Sequence, residues 1–334
     1  MKRIDNSVRT SSGNAPSKGM KRFPGGKSFA FTIYDDTDEG TVENLSPVYR
    51  LLSDQGIRIT KSVWPLANVP GAKYGGATLQ DPLYLDFVRN LQAEGFEIAL
   101  HNVRNSNAPR EVVLQGLTEF DRLLGHLPMV HANHSSNREN IYWGSARLSR
   151  PIPRLVYNAA TRFRCTNKFQ GHIPDSEFFW GDLCREHIRY VRNFSLDEIN
   201  LDRVNPTQPY HDPSRPFVNF WFSSSDCGDL TRFCKLLSEP NQDRLAAEGG
   251  ICIVFTHFGL GFSDYGKLHP GFETLMRRLS AMNGWFVPVT ELLDYLRSQR
   301  ATHDIAVQEL ASLESRWLLY KFRAGADHTE PRSL

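Results

Sequence analysis

The chain has 334 residues, of which 40% are hydrophobic and 23% charged, with a formal net charge of +2. That length suits two average domains or one α/β barrel, and the composition is that of an ordinary soluble globular protein. So small a charge gives no general case for nucleic-acid binding. The sequence holds no run of 18 apolar residues and no apolar segment behind its first basic residues, so neither a membrane span nor an ordinary secretory signal is expected. The five cysteines, Cys165, Cys184, Cys227, Cys234 and Cys252, are scattered without a C-x-x-C pair, and reduced thiols in a cytoplasmic protein are the expectation.

Residues 1–27 are rich in Ser, Gly and Asn and set seven basic residues against Asp5 alone, the pattern of a disordered leader. Phe29, Phe31 and Ile33, with Ala30 and Thr32 between them, predict a strand over about 28–35 buried on both sides. It ends abruptly in Asp35 and Asp36. A strand of this kind delivers its last residues to the mouth of an α/β sheet or barrel, where ligands bind. Two adjacent carboxylates there repel each other and require a cation, a proton or an arginine.

A helical pattern follows at Asn44–Gln55, stopping at Gly56, and a second strand is expected at about 57–63. Another helix fits Pro82–Glu94 and stops at Gly95, before a strand over 96–101 that ends in His101. Pro109–Leu124 starts with Pro and ends before Gly125, as helices favour. The strand expected at 128–134 runs into the polar cluster His131-Ala132-Asn133-His134-Ser135-Ser136-Asn137-Arg138.

From 135 to 216 the alternation breaks. This stretch carries Trp143, Tyr157, Trp180, Tyr190 and Tyr210 among many arginines and prolines. A loop of that length is expected to act as a lid or binding element, with Trp143, Trp180 or Tyr210 lining the cleft, or else to be a packing insertion. Strands resume at about 217–224, at 251–257, which ends in His257, and at 285–289. A final stripe of Ala306, Leu310, Leu313, Trp317 and Tyr320 describes an amphipathic helix, packed on its own domain or used for dimerisation. Alternating strands and helices imply parallel strands with helical crossovers. Strand ends carrying carboxylate, imidazole and amide groups point to one convergent site.

The order and spacing of these strand ends, over roughly residues 28–297, resemble the NodB-type polysaccharide deacetylase family. Thr32-Ile33-Tyr34-Asp35-Asp36 looks like that family's Thr-Phe-Asp-Asp strand end with one residue inserted before the pair. His101 matches the first histidine of its His-x-x-x-His motif, with Asn105 in the second position. Cys252–His257 is similar to its late strand ending in a histidine, and Trp285–Leu293 to its closing strand and helix. The family's Arg-Pro-Pro-Tyr-Gly motif is replaced by the cluster at 131–138.

The resemblance implies a distorted (β/α) barrel of about seven parallel strands at 28–299, carrying the insertion at 135–216, with the C-terminal helix and tail at 300–334 outside it. It also implies a metal-dependent hydrolase that removes an N-acetyl or other acyl group from a carbohydrate. In that reading Asp35 is the base, and Asp36 and His101 hold a divalent metal, zinc first, with His134 or Asn105 as third ligand. His257 is the general acid. Asp226 orients His257 or caps a following helix, and Arg138 pairs with Asp35 or lies on a helix surface. Asp38 joins Asp36 at the metal or serves as a helix N-terminal residue. Two alternatives stand beside this one. A degenerate barrel could hold carbohydrate without cleaving it, and Asp36-Thr37-Asp38 is also the D-x-D pattern with which glycosyltransferases hold a metal and a nucleotide sugar.

Overall fold

In the computed structural model, which describes residues 23–324, β1 (Phe29–Asp35) is buried along its whole length. The reason is its position inside a closed parallel barrel. On one edge it pairs with β7 (Ile251–Thr256), from Ala30 against Ile251 to Asp35 against Thr256. Its other edge is shared. Phe29–Phe31 pair with β10 (Gly284–Phe286), and Tyr34 and Asp35 pair with β2 (Thr60–Val63). From β2 the barrel runs through β3 (Glu97–Leu100), β4 (Val130–His131), β5 (Tyr190–Leu196) and β6 (Phe220–Asp226) back to β7. Seven strands therefore close the barrel, with β10 beside it, and this split of the β1 edge is what distorts it.

The connecting helices cover the outside: α1 (Val42–Asp54), α2 (Pro82–Ala93), α3 (Arg110–Leu124), α4 (Pro151–Ala160), α5 (Gly181–His187), α6 (Leu230–Leu236), α7 (Glu239–Ala247), α8 (Pro270–Ser280) and α9 (Val289–Ser298). A small hairpin, β8 (Ser263–Asp264) and β9 (Lys267–Leu268), precedes α8. Local chemistry sets the ends. Thr41 and Asn44 form a reciprocal capping box on α1, Asp81 caps α2 ahead of Pro82, and Gly125 closes α3 in the left-handed conformation.

Side chains of successive strand residues point to opposite faces. Phe29, Phe31 and Ile33 join the large core between barrel and helices, whereas Ala30 and Tyr34 join Ala99, Val130, Ala132, Ile251 and Ile253 inside the barrel. This alternation decides which residues reach the barrel mouth.

Three sequence expectations differ from the structure. The stretch 135–216 is not wholly an insertion, because it contains the barrel strand β5, while the segment expected at 285–289 lies beside the barrel as β10. The leader expected over 1–27 is ordered at its end. Phe23 is buried against Trp285 and Tyr295, and Phe23 and Lys27 form a bridge; residues 1–22 lie outside the described residues. The C-terminal stripe is the helix α10 (Val307–Ala324), which buries Leu310, Leu313, Glu314 and Trp317, with Trp317 packed on Phe194 of β5 and Tyr157 of α4. It packs on its own domain. Among the described residues no helix is long and apolar enough to cross a membrane, and the five cysteines are free thiols.

Candidate metal centre and active site

Strand alternation sends Asp35 and Asp36 to opposite faces. Asp35 follows Phe31 and Ile33 outward. Its carboxylate is buried beneath the helices, 3.0 Å from the Lys61 ammonium, and accepts hydrogen bonds from the Tyr49 hydroxyl (2.8 Å) and the Phe258 N–H (2.9 Å). Burial pushes this carboxyl up, against the pull of Lys61. Asp36 follows Ala30 and Tyr34 into the barrel mouth, where it lines a cavity of about 280 Å³ with Asp38, His101 and His257.

The arginine on Asp36 is Arg192 of β5. Its two terminal nitrogens donate to the two carboxylate oxygens at 3.0 and 2.6 Å, a fork-to-fork pair. A register shift in β5 between Arg192 and Ser195 lets both residues face the cavity. Burial alone would raise the Asp36 carboxyl; Arg192, His101 and His257 outweigh it and hold the group below the usual carboxylate range.

Three imidazoles face the two inward carboxylates, and each is oriented by its Nδ1. His101 Nδ1 lies 3.1 Å from the Ala132 carbonyl, and its Nε2 lies 3.7 Å from Asp38 Oδ2. His134 Nδ1 lies 2.9 Å from Asn137 Oδ1, and its Nε2 lies 3.3 Å from Asp38 Oδ1. The Asn137 amide nitrogen donates to the Arg104 and Ser106 carbonyls and to Glu139, so its oxygen is left to accept from His134. His257 Nδ1 lies 2.8 Å from the Gly228 carbonyl, with Nε2 3.1 Å from Asp38 Oδ2 and 3.8 Å from Asp36 Oδ2. An imidazole that donates Nδ1–H to an oxygen presents a bare Nε2 lone pair, the form a metal takes.

Asp38, His101 and His134 form a buried group whose ligand atoms all lie within 4.8 Å of one another. Ligands about 2.0–2.2 Å from a tetrahedral ion stand roughly 3.3–3.6 Å apart, close to the distances above. Asp38 Oδ1 and His134 Nε2 are buried without a hydrogen-bond partner, and such orphans call for an ion or water between them. The residues therefore fit a divalent cation. Electrostatics agree. Burial would raise the Asp38 carboxyl, but His134, His101 and His257 hold it well below its usual range. Burial would lower His257, but Asp38 and Asp36 push it up to about 9.

Close backbone approach builds the loop that carries Asp38. Glu39 takes a positive φ of 58°. Gly259, two residues after His257, lies so near that a Cβ there would stand 2.4 Å from the Glu39 carbonyl carbon. Only glycine lets the His257 and Asp38 loops meet.

Of the residues singled out in the sequence, Asp36, Asp38, His101, His134 and His257 come together. Asp35 does not, for the reason of strand parity. Asn105 braces a loop instead: its amide oxygen accepts from the Val69 N–H at 3.0 Å and its nitrogen donates to the Tyr74 carbonyl at 2.9 Å. Arg138 is half exposed, stacked over Phe178 and 4.0 Å from Glu177, away from both Asp35 and Asp36. Asp226 lines the cavity but is held by Lys321 of α10 at 3.0 Å, and it is the Gly228 carbonyl that orients His257. Asp229 caps α6. Trp143 lines the cavity. Trp180 is buried with its Nε1–H on the Glu139 carbonyl, and Tyr210 is buried beside Trp221. Sequence reasoning missed Arg192, Lys61, Arg147 and Lys321; the alternation of Tyr190, Arg192 and Phe194 was the only signal for the first.

The sequence matches no family model and no curated protein. Solved structures are similar over most of the chain. A Mycobacterium smegmatis protein assigned as a polysaccharide deacetylase is 13% identical at a TM-score of 0.49, covering 86% of this chain and 96% of that one. Puue allantoinase is 15% identical at a TM-score of 0.46, covering 85% and 94%. Peptidoglycan deacetylase PdaC from Bacillus subtilis is 10% identical at a TM-score of 0.38, covering 87% and 97%. Likeness of this extent transfers no residue roles, and those have to come from the geometry.

Proposed function

We propose that this chain is a metal-dependent amide hydrolase that removes an N-acetyl or related acyl group from a carbohydrate. The observation that carries the reading is the set of three imidazoles, each fixed through Nδ1 with Nε2 turned toward Asp38. Asp38, His101 and His134 would hold a divalent ion, zinc being the first candidate for mixed nitrogen and carboxylate ligation. Such an ion, when bound, supplies a Lewis acid for the acyl oxygen and acidifies a water.

The remaining chemistry belongs to the side chains. Asp36, kept ionised by Arg192, accepts the proton of the attacking water as its oxygen adds to the acyl carbon. His257, lowered by burial but raised further by Asp38 and Asp36, donates from Nε2 to the nitrogen as the C–N bond breaks, so that a carboxylic acid and an amine leave. The partly exposed rings on the wall, Trp143 and Tyr74, offer faces on which a sugar ring can stack. Because Asp36 is already clamped by Arg192, Asp36-Thr37-Asp38 does not present two free carboxylates to a nucleotide-sugar metal.

The test is acetate release from N-acetylated oligosaccharides by the zinc-loaded protein and by its Asp36→Asn variant. Release that is lost in the variant while zinc stays bound is the expected outcome. Failure of the unaltered protein to bind any divalent metal at millimolar concentration would sink the reading.

A further inference from the structure

Arg147 is a cation in this cavity that the proposed mechanism does not use. It ends the 3-10 turn Gly144–Arg147, is only 6% exposed, and lines the same cavity as Asp36 and His257. Its guanidinium carbon lies 3.2 Å from the centre of the Trp143 ring and 5.1 Å from that of Trp317. Every other cation on the wall has an acid of its own: Arg192 has Asp36, Lys321 has Asp226, and Arg232 has Asp229. Arg147 has none among the described residues, and its Nε–H is buried without an acceptor.

Burying a lone charge costs more than stacking on aromatic faces returns. Burial pushes the guanidinium down to about 9, which still leaves it charged at neutral pH. If the role were only to fill the gap between two indoles, a methionine would do so with no charge to bury. An uncompensated cation in the wall of a binding cavity is explained if the ligand brings the anion.

We propose that Arg147, held between Trp143 and Trp317, is an anion subsite, so that the N-acyl substrate carries an oxyanion, either carboxylate or phosphate. This rests on the hydrolase reading for the identity of the cavity as the substrate site. Guanidinium reads either anion through paired N–H donors.

The experiment compares three sugars with the same acetamido group on the zinc-loaded full chain by titration calorimetry. They are N-acetylglucosamine, N-acetylmuramic acid with its carboxylate, and N-acetylglucosamine 6-phosphate. At least one anionic sugar should bind about tenfold or more tightly than the neutral one, the factor expected of a charged hydrogen bond, and which one does so identifies the anion. In Arg147→Met that ratio should fall to within about twofold, with part of it kept in Arg147→Lys. If neither anionic sugar binds more tightly in the unaltered protein, the proposal is overturned whether or not the variants fold. A preference that survives intact in folded Arg147→Met overturns it as well, because the anion then sits elsewhere. A preference that disappears in the variant while no sugar yields acetate would leave the subsite standing and remove the hydrolase reading.

Discussion

Replacing Asp35 by Asn separates the outward carboxylate from the inward ones. The amide keeps the shape, but its single oxygen can take only the Phe258 N–H, and its NH2 then faces the Tyr49 hydroxyl, which rotates to accept instead of donating. What it loses is the negative charge 3.0 Å from Lys61, whose side chain is fully buried. Lys61 must then keep its charge without an anion or give up its proton. Giving it up at pH 7 from an ordinary value of about 10.4 costs about 4.6 kcal/mol, which caps the electrostatic part of the loss. Removing one partner of a buried pair typically costs about 3–5 kcal/mol, so the two estimates agree. At about 2–4 °C per kcal/mol the melting temperature should fall by roughly 6–20 °C. Two further readouts make the argument strict. The variant binds fewer protons folded than unfolded at Lys61, so its deficit should shrink as pH rises toward 10. Zinc affinity, measured by competition with a chelating dye, should stay within a few-fold of the unaltered protein. An Asp35→Asn protein that melts normally but has lost zinc would refute the assignment of Asp35 to the scaffold.

Asp38→Ala should abolish zinc binding, whereas Asp36→Asn should keep it and lose turnover, both read by metal analysis beside acetate release. Arg192→Met leaves the buried Asp36 carboxylate without its guanidinium, so the acidic limb of the pH–rate profile should move to higher pH; an unmoved limb would remove Asp36 as the base. Burial lowers His134, but Asp38 outweighs it and raises the imidazole above its ordinary range. Zinc must therefore displace a proton there, so affinity should climb as pH rises through and above the ordinary histidine range. Calorimetry in buffers of different ionisation enthalpy at pH 7 should show proton release, and none at all would contradict the His134 assignment.

The parts of the fold that were legible in the sequence had redundant local signals. Pro82, Pro109 and the stops at Gly56, Gly95 and Gly125 framed the helices, and the apolar runs between them marked strands. β5 was hidden because its inner face is polar. Arg192 lies inside the barrel and Asn193 beside it, so Tyr190–Leu196 read as one more arginine-rich stretch of a long loop. Only the partner, Asp36, turns that arginine from a surface residue into a core one. Arg147 and Lys321 escaped for the same reason: each acquires meaning from residues more than 90 positions away, and single-sequence patterns do not carry such pairings.

The division of labour among the three aspartates follows from the same geometry. β1 is apolar or Thr at every position from Phe29 to Tyr34 and buried on both faces, so its sequence gives no clue to which parity faces the barrel. Once Ala30 and Tyr34 are known to point inward, Asp36 must follow them and Asp35 must not. Adjacent carboxylates at a strand end thus cannot both serve one site unless the backbone turns between them. A spacing of two can, because Asp36 and Asp38 share parity and Thr37 turns away to meet the Tyr84 hydroxyl at 3.2 Å. The site that results places one carboxylate against an arginine and the other against imidazoles. Asp36 is the stronger candidate for moving a proton and Asp38 for holding an ion, because the former is already charge-matched within the protein and the latter keeps a buried oxygen with nothing to bind.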